Sequence, residues 1–117
     1  MDLTPTPQGS ATVLSPAGRI DHASADAFQA ALQPYVDACQ AGQMSILLDM
    51  HRLDYISSVG LRVLMIAARQ VKAQHGRIVI SGLTPLVKEV FEISRFNLVF
   101  ELFEDRQAAI AAIGGNE

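Results

Sequence analysis

Apolar positions recur along the chain with two different periods, and the alternation between them predicts a mixed fold. Residues 11–15 (Ala-Thr-Val-Leu-Ser), 45–50 (Ser-Ile-Leu-Leu-Asp-Met) and 77–81 (Arg-Ile-Val-Ile-Ser) have the length and composition of strands. The run at 45–50 places apolar residues at consecutive positions, as a strand covered on both faces requires. Pro16-Ala17-Gly18 breaks the first strand, Arg19-Ile20 resumes extended structure, and residues 98–102 are expected as the last strand. Between these runs Phe28, Ala31, Leu32, Tyr35, Val36 and Cys39 recur at three and four. Ser24 is the expected cap of that helix, Asp26 complements its dipole and Gly42 closes it, while Pro34 inside it removes a hydrogen bond and predicts a bend. Further helices are expected over 58–74, ended by His75-Gly76, over 84–94, opened by the Thr84 hydroxyl and Pro85, and over 105–113. The sum is a single α/β domain spanning 1–117, with a mixed, mostly parallel sheet of four to five strands and about four helices. Residues 1–10, with a linker-like stretch from Thr4 to Ser10, form an N-terminal edge segment.

Composition narrows the function. The chain has 117 residues, 50% apolar and 18% charged, which suffices for one core and leaves no length for a second domain. The charged share lies below the ~25% of an average soluble domain, so some apolar surface is available to a partner. A net charge of −3 with no basic tail argues against nucleic acid, whose affinity rests on neutralised phosphates. The polar start, Met-Asp-Leu-Thr-Pro-Thr-Pro, lacks the features of a signal peptide, and the run from Val63 to Ala68 is far too short to insert in a membrane. A cytoplasmic protein is expected. The lone Cys39 forms no internal disulfide and reads as a packing residue.

The charge distribution is uneven. Residues 1–54 and 89–117 each carry −4, whereas residues 55–88 carry five bases and no acid. An anion held by this domain would sit most naturally in that cationic middle third.

Within it lies the most informative stretch, Leu53-Asp54-Tyr55-Ile56-Ser57-Ser58-Val59-Gly60-Leu61-Arg62-Val63-Leu64. Two hydroxyls arrive at the start of a helix, where unpaired amides and the dipole favour negative charge. At ~100° per residue, Ser58, Arg62, Arg69 and Lys72 share a polar arc, and Leu61, Leu64, Ala68 and Val71 form the core face. The arrangement suits a phosphoserine at Ser58, with Arg62 one turn on. Val59, Val63 and Ile66 lie beside the arc as a candidate partner surface, or are covered by another element. Ser57 or Ser58 serves equally as a simple helix cap.

Other chemistry lacks its residues. His22, His51 and His75 stand on separate elements without metal-ligand spacing, no phosphate-binding Gly-x-x-x-x-Gly-Lys-Ser/Thr loop exists, and Ser58 has no Gly-x-Ser-x-Gly elbow. No metal, cofactor or catalytic residue is implied, and an enzyme is not expected. A receiver domain, taking phosphate on an aspartate such as Asp49, would need a second acid beside Asp21 and a lysine within 96–104, and neither is present.

Taken in order, Gly18-Arg19-Ile20-Asp21, Ala23 to Phe28, Leu47-Leu48-Asp49-Met50, Tyr55 to Leu64 and Leu83-Thr84-Pro85-Leu86-Val87 with Val90-Phe91 resemble a STAS domain of the anti-sigma factor antagonist (anti-anti-sigma) family. The resemblance covers nearly the whole chain. It implies a bacterial partner-switching cycle. The unphosphorylated antagonist binds an anti-sigma factor serine kinase of the histidine-kinase-like ATPase type and releases sigma factor. Phosphorylation then ends binding, and a PP2C-type phosphatase restores it. Two residues before Gly60, the family motif places the phosphoserine at Ser58, with Ser57 the alternative, and Asp21 matches the family's acid near that serine. Two positions depart from the pattern: Ser57 stands where many members carry Asp, and Arg95-Phe96 stands where Gly-Leu is often found. The alternative function is a STAS subunit or ligand sensor that never cycles phosphate, for example in a lipid transport complex.

Overall fold

The computed structural model describes residues 1–114, so residues 115–117 of the expected domain lie outside the described residues. Its strands are β1 (Thr6–Gln8), β2 (Ala11–Leu14), β3 (Gly18–Ile20), β4 (Ser45–Asp49), β5 (Leu53–Ile56), β6 (Ile78–Ser81) and β7 (Glu101–Phe103). Its helices are α1 (Ala25–Ala38), α2 (Ser58–Ala73), α3 (Pro85–Ile93) and α4 (Arg106–Gly114), with a single 3-10 turn at Phe96–Leu98.

Five strands form one sheet in the order β1-β2-β4-β6-β7, parallel except for the antiparallel edge pair β1-β2. The expected mixed, mostly parallel sheet and four helices are therefore present. The central β4 shows why its sequence is continuously apolar. Ile46 and Leu48 enter the main core with α1, α2 and α3, whereas Leu47 joins Val13, Val79, Ala109 and Ile113 under α4. Both faces are covered, and every side chain from Ile46 to Met50 is buried.

Several local expectations are corrected. The linker-like start is a hairpin: residues Thr6–Gln8 pair with Ala11–Leu14 around Gly9-Ser10, Pro7 is tolerated because the strand is an edge, and Leu3 is buried. Residues 53–56, expected as a turn, form β5 and pair in parallel with β3 as a separate two-stranded ribbon. Helix α1 ends at Ala38 and not at Gly42, and it continues through Pro34. Ser24 does not cap it with its side chain. Asp21 instead fixes the turn that leads into the helix: its carboxylate accepts from the amides of Ala23 (3.0 Å) and Ser24 (3.2 Å), and its carbonyl accepts from the Ala25 amide at 2.9 Å. The Thr84 hydroxyl likewise does not cap α3 but donates to the Leu53 carbonyl at 3.0 Å, tying α3 to β5.

The last strand begins later than its apolar pattern suggested. Residues 98–102 were expected as strand, but Phe96–Leu98 turn as a 3-10 helix and β7 starts at Glu101. The cause lies at Arg95, which closes α3 in the left-handed conformation (φ 60°, ψ 24°) and sends the chain into a tight turn. Phe96 and Phe100 then pack inward, the Phe91–Phe96 rings 5.8 Å and the Phe96–Phe100 rings 6.3 Å apart, leaving Leu98 and Val99 outside. That left-handed residue is one of the two departures from the family pattern. Glycine adopts this conformation without a Cβ penalty.

Asp49 at the end of β4 is buried, and both its oxygens are engaged. Oδ1 accepts from the His51 amide (3.2 Å) and lies 2.9 Å from its Nδ1, while Oδ2 accepts from Arg106 Nε at 2.9 Å. This aspartate anchors α4 to the sheet and is not a free phosphoacceptor. Burial pushes its carboxyl pKa up, but the hydrogen bonds from His51 and Arg106 outweigh burial and hold it below the usual range.

Two outcomes are expected. Arg106→Ala removes half of the support of a buried carboxylate and costs about 1–3 kcal/mol in urea unfolding. Because the folded pKa of Asp49 lies below its unfolded value of about 3.9, its stabilisation is complete above that value. It is lost as pH falls through the folded one, so the acid limb of the stability profile flattens in Asp49→Asn. Separately, Arg95→Gly relieves the left-handed strain and raises the melting temperature, by up to ~1 kcal/mol in stability.

Candidate functional site

The site is assembled where two neighbouring parallel strands end together. Ile20 of β3 is the register partner of Ile56 of β5, so the next residues on each strand, Asp21 and Ser57, leave the ribbon side by side. The Ser57 amide donates to the Ile20 carbonyl at 2.8 Å, which extends the ribbon by one more bond before α2 begins. Gly60 lets the first turn of α2 lie directly against this ribbon. A Cβ there would stand 2.7 Å from Ile20 Cγ2 and 2.8 Å from Ile56 Cγ1, inside contact distance of two fully buried, branched side chains.

The two serines divide the work. Ser57 is the cap: its backbone is extended and its Oγ accepts from the Gly60 amide at 3.3 Å. Ser58 is the first residue of the helix, is exposed, and its hydroxyl has no hydrogen-bond partner among the described residues. The amides of Ser58 and Val59 open the helix without intrahelical acceptors and give this end its partial positive charge.

Asp21 closes the site on the other strand. Its carboxylate holds the start of α1, as described above, and Arg19 Nε lies 3.7 Å from Oδ2 while its guanidinium covers the Tyr55 ring at 4.4 Å. Burial raises its pKa, but the Ser24 and Ala23 hydrogen bonds and the Arg19 charge outweigh that and set it below the usual value. A fixed negative charge therefore stands beside the serine turn.

On the exposed side of α2, Ser58, Arg62, Ile66 and Arg69 line a shallow groove of about 480 Å³, closed across from them by Ser94 and Phe96. Arg62 is exposed and makes no ion pair or hydrogen bond among the described residues. Of the apolar residues proposed for partner contact, only Ile66 is open, at 42% exposure. Val63 is buried in the main core, and Val59 is half-buried and packed against it. The reason is α1. Val59, Val63 and Ala67 lie on the stripe of α2 that leads to Gln70 and Gln74, and those amides bond to Asp37, Val36 and Cys39. The core face is thus broader than the expected Leu61, Leu64, Ala68 and Val71, and Ala68 is only partly covered. Ser94 and Phe96 flank the left-handed residue Arg95, and that turn, which has no signal in the local apolar pattern, brings them across from α2.

Cys39 is buried, with Sγ 3.2 Å from the Arg77 carbonyl, and burial pushes its thiol pKa up. It is a packing residue. Among the described residues no group of His, Cys, Asp or Glu is placed to hold a metal ion, and no helix is long and apolar enough to cross a membrane.

Residues 4–109 match the family model described as STAS domain. The chain belongs to the STAS domain family. A protein of Bordetella bronchiseptica named as the anti-sigma factor antagonist BtrV is 43% identical to this STAS domain over 95 residues, covering 81% of this chain and 79% of that one. Among solved structures, an anti-sigma factor antagonist from Mycobacterium paratuberculosis superimposes with a TM-score of 0.81 at 19% identity, over 92% of this chain and 89% of its own. The Bacillus cell fate determinant SpoIIAA in its phosphorylated form superimposes with a TM-score of 0.66 at 20% identity, over 91% of this chain and 93% of its own. At these identities the structural likeness establishes the fold, and the sequence match to BtrV places the chain near the antagonists.

The division of labour between the serines and the close packing at Gly60 are separable by substitution. Ser57→Ala is expected to cost about 0.5–1 kcal/mol through the lost cap, measured by chemical unfolding, with Ser58 still available. Gly60→Ala is expected to cost about 1–3 kcal/mol, because the added methyl meets Ile20 and Ile56, which have no room to move.

Proposed function

We propose that this STAS domain is an anti-sigma factor antagonist operated by phosphorylation of Ser58. The unphosphorylated form binds an anti-sigma factor serine kinase of the histidine-kinase-like ATPase type in the cytoplasm and thereby frees the sigma factor. The kinase transfers the γ-phosphoryl group of ATP to Ser58 Oγ. The new O–P bond replaces the bond to the bridging oxygen, ADP leaves, and the hydroxyl proton passes to the kinase or solvent. Binding is then lost, and a PP2C-type phosphatase hydrolyses the ester to return the free serine and phosphate. The domain acts as a binding protein and carries out no catalysis of its own.

One observation carries this reading: Ser57 does the capping, which leaves the Ser58 hydroxyl exposed and unbonded one turn from an unpaired Arg62. A phosphate of ~ −1.5 to −2 charges at this position is stabilised by the helix end and by Arg62, so the fold tolerates it. Its effect then falls on the partner. Contact across the groove would bury a dianion beside the fixed charge of Asp21, and a partner surface matched to the free serine has no compensation for it. The name of the 43% identical relative and the phosphorylated form of SpoIIAA agree with this reading.

Incubation with the cognate kinase and ATP is expected to add one phosphate, located at Ser58 by tandem mass spectrometry. Ser58→Ala should stay bound to the kinase in the presence of ATP. Ser58→Asp should bind at least tenfold more weakly. Phosphate found only at Ser57, or no phosphate at all, would overturn the assignment and favour the STAS subunit that does not cycle phosphate.

A further inference from the structure

Arg19, Arg77 and Arg106 meet acids of their own fold, at 3.7 Å from Asp21, 2.9 Å from Glu101 and 2.9 Å from Asp49. Arg62 has no such partner among the described residues, and α2 offers it none, because the helix contains neither aspartate nor glutamate. Its exposed side chain lines the same groove as Ser58, four positions further along the helix. That groove runs on into an adjoining one of about 670 Å³, and the two share Met65 and Arg69. A kinase that delivers a phosphoryl group to Ser58 must come over this surface and take Arg62 out of water with it. Burying a guanidinium without a counter-charge is strongly unfavourable, and this chain supplies no acid to offset it. The partner must therefore bring one.

We infer that Arg62 is the residue through which the phosphate acts: with Ser58 free it pairs with a carboxylate of the kinase, and a phosphate on Ser58 withdraws it from that carboxylate. The inference rests on the phospho-switch reading for both the partner and the modification. Helix geometry favours the exchange. An anion four positions before a cation is the better of the two orders for such a pair. The two residues are about 6 Å apart along the axis, within reach of an arginine side chain without movement of the backbone. The planar fork of arginine donates two parallel bonds to a carboxylate or to a phosphate alike, so the two anions compete for one set of donors. The phosphate prevails because it is held on the same helix, one turn away, and because it carries ~ −1.5 to −2 charges. The kinase carboxylate is then left without its cation and faces a dianion. Release thus combines a lost attraction with a gained repulsion, both centred on the first turns of α2.

The test reads the free phosphoprotein and the complex separately. The whole chain is phosphorylated with the cognate kinase and ATP, purified away from it, and its phosphate titrated by phosphorus NMR. Arg62→Gln is expected to raise the pKa of the second phosphate ionisation, ordinarily ~6, by about 0.3 unit or more, because a paired cation favours the dianion. The side chain is exposed, so the melting temperature should not move. Affinity for the kinase is then measured by calorimetry for the parent, Ser58→Asp, Arg62→Gln and the double variant. Arg62→Gln should weaken binding about tenfold. In that background Ser58→Asp should bring a further loss about threefold smaller than in the parent, because the introduced carboxylate has no arginine left to withdraw. An unchanged phosphate pKa, full affinity of Arg62→Gln, or losses that simply multiply would each overturn the proposal. Failure of the phospho-switch reading looks different: no phosphate enters the chain, or Ser58→Asp binds as tightly as the parent beside an intact Arg62, and the inference then falls with it.

Discussion

The close approach between the start of α2 and the β3-β5 ribbon is the constraint on which the site depends. With no side chain at Gly60, the first turn of the helix rests on Ile20 and Ile56, and the Ser57 amide continues the ribbon by bonding to Ile20. From that one contact the remaining geometry follows. Ser57 is held extended and is used as the cap, Ser58 is turned outward as the first helical residue, and Asp21 is delivered beside them by the neighbouring strand. A methyl group at Gly60 would disturb all three at once, although it would touch none of them.

The same economy separates structure from function among the charged groups. Asp49 and Arg106 hold α4 on the sheet, and Asp21 holds the start of α1. Each of these carboxylates is engaged by several donors, which is why each is held ionised below the usual range in spite of burial. The cations of α2 behave differently. Arg62, Arg69 and Lys72 have no counterions among the described residues, and they line two adjoining grooves along one helix that share Met65 and Arg69. An ion pair buried within the domain adds to its own cohesion, whereas an unpaired exposed cation stabilises nothing until a partner arrives. The uneven charge along the chain thus becomes a cationic helix face set on an otherwise acidic molecule.

Much of the fold was legible because its signals are local. The consecutive apolar residues of β4 fit only a strand covered twice, and the periodic apolar positions of α1, α2 and α3 mark their buried sides whatever they are buried against. Missed elements were those whose cause is distant in sequence. Residues 53–56 contain no strong strand pattern and become β5 only by pairing with β3, and the Thr84 hydroxyl gives up its cap because the Leu53 carbonyl is within reach. Val63 looked available because a helix considered alone shows no sign of α1 lying along its second apolar side.

The sequence alone determined the class of the domain, the positions of most helices and central strands, and the serine pair at a helix start inside a cationic segment. Those properties depend on spacing and residue chemistry over a few turns of chain. Only the tertiary structure decided which serine is consumed as a cap and which stays free, that Ile66 and not Val63 faces the groove, and that Leu98 and Val99 lie outside the core. Each of those outcomes is set by what a distant segment covers, and a hydroxyl or an apolar side chain is equally able to be buried or exposed until that segment is in place.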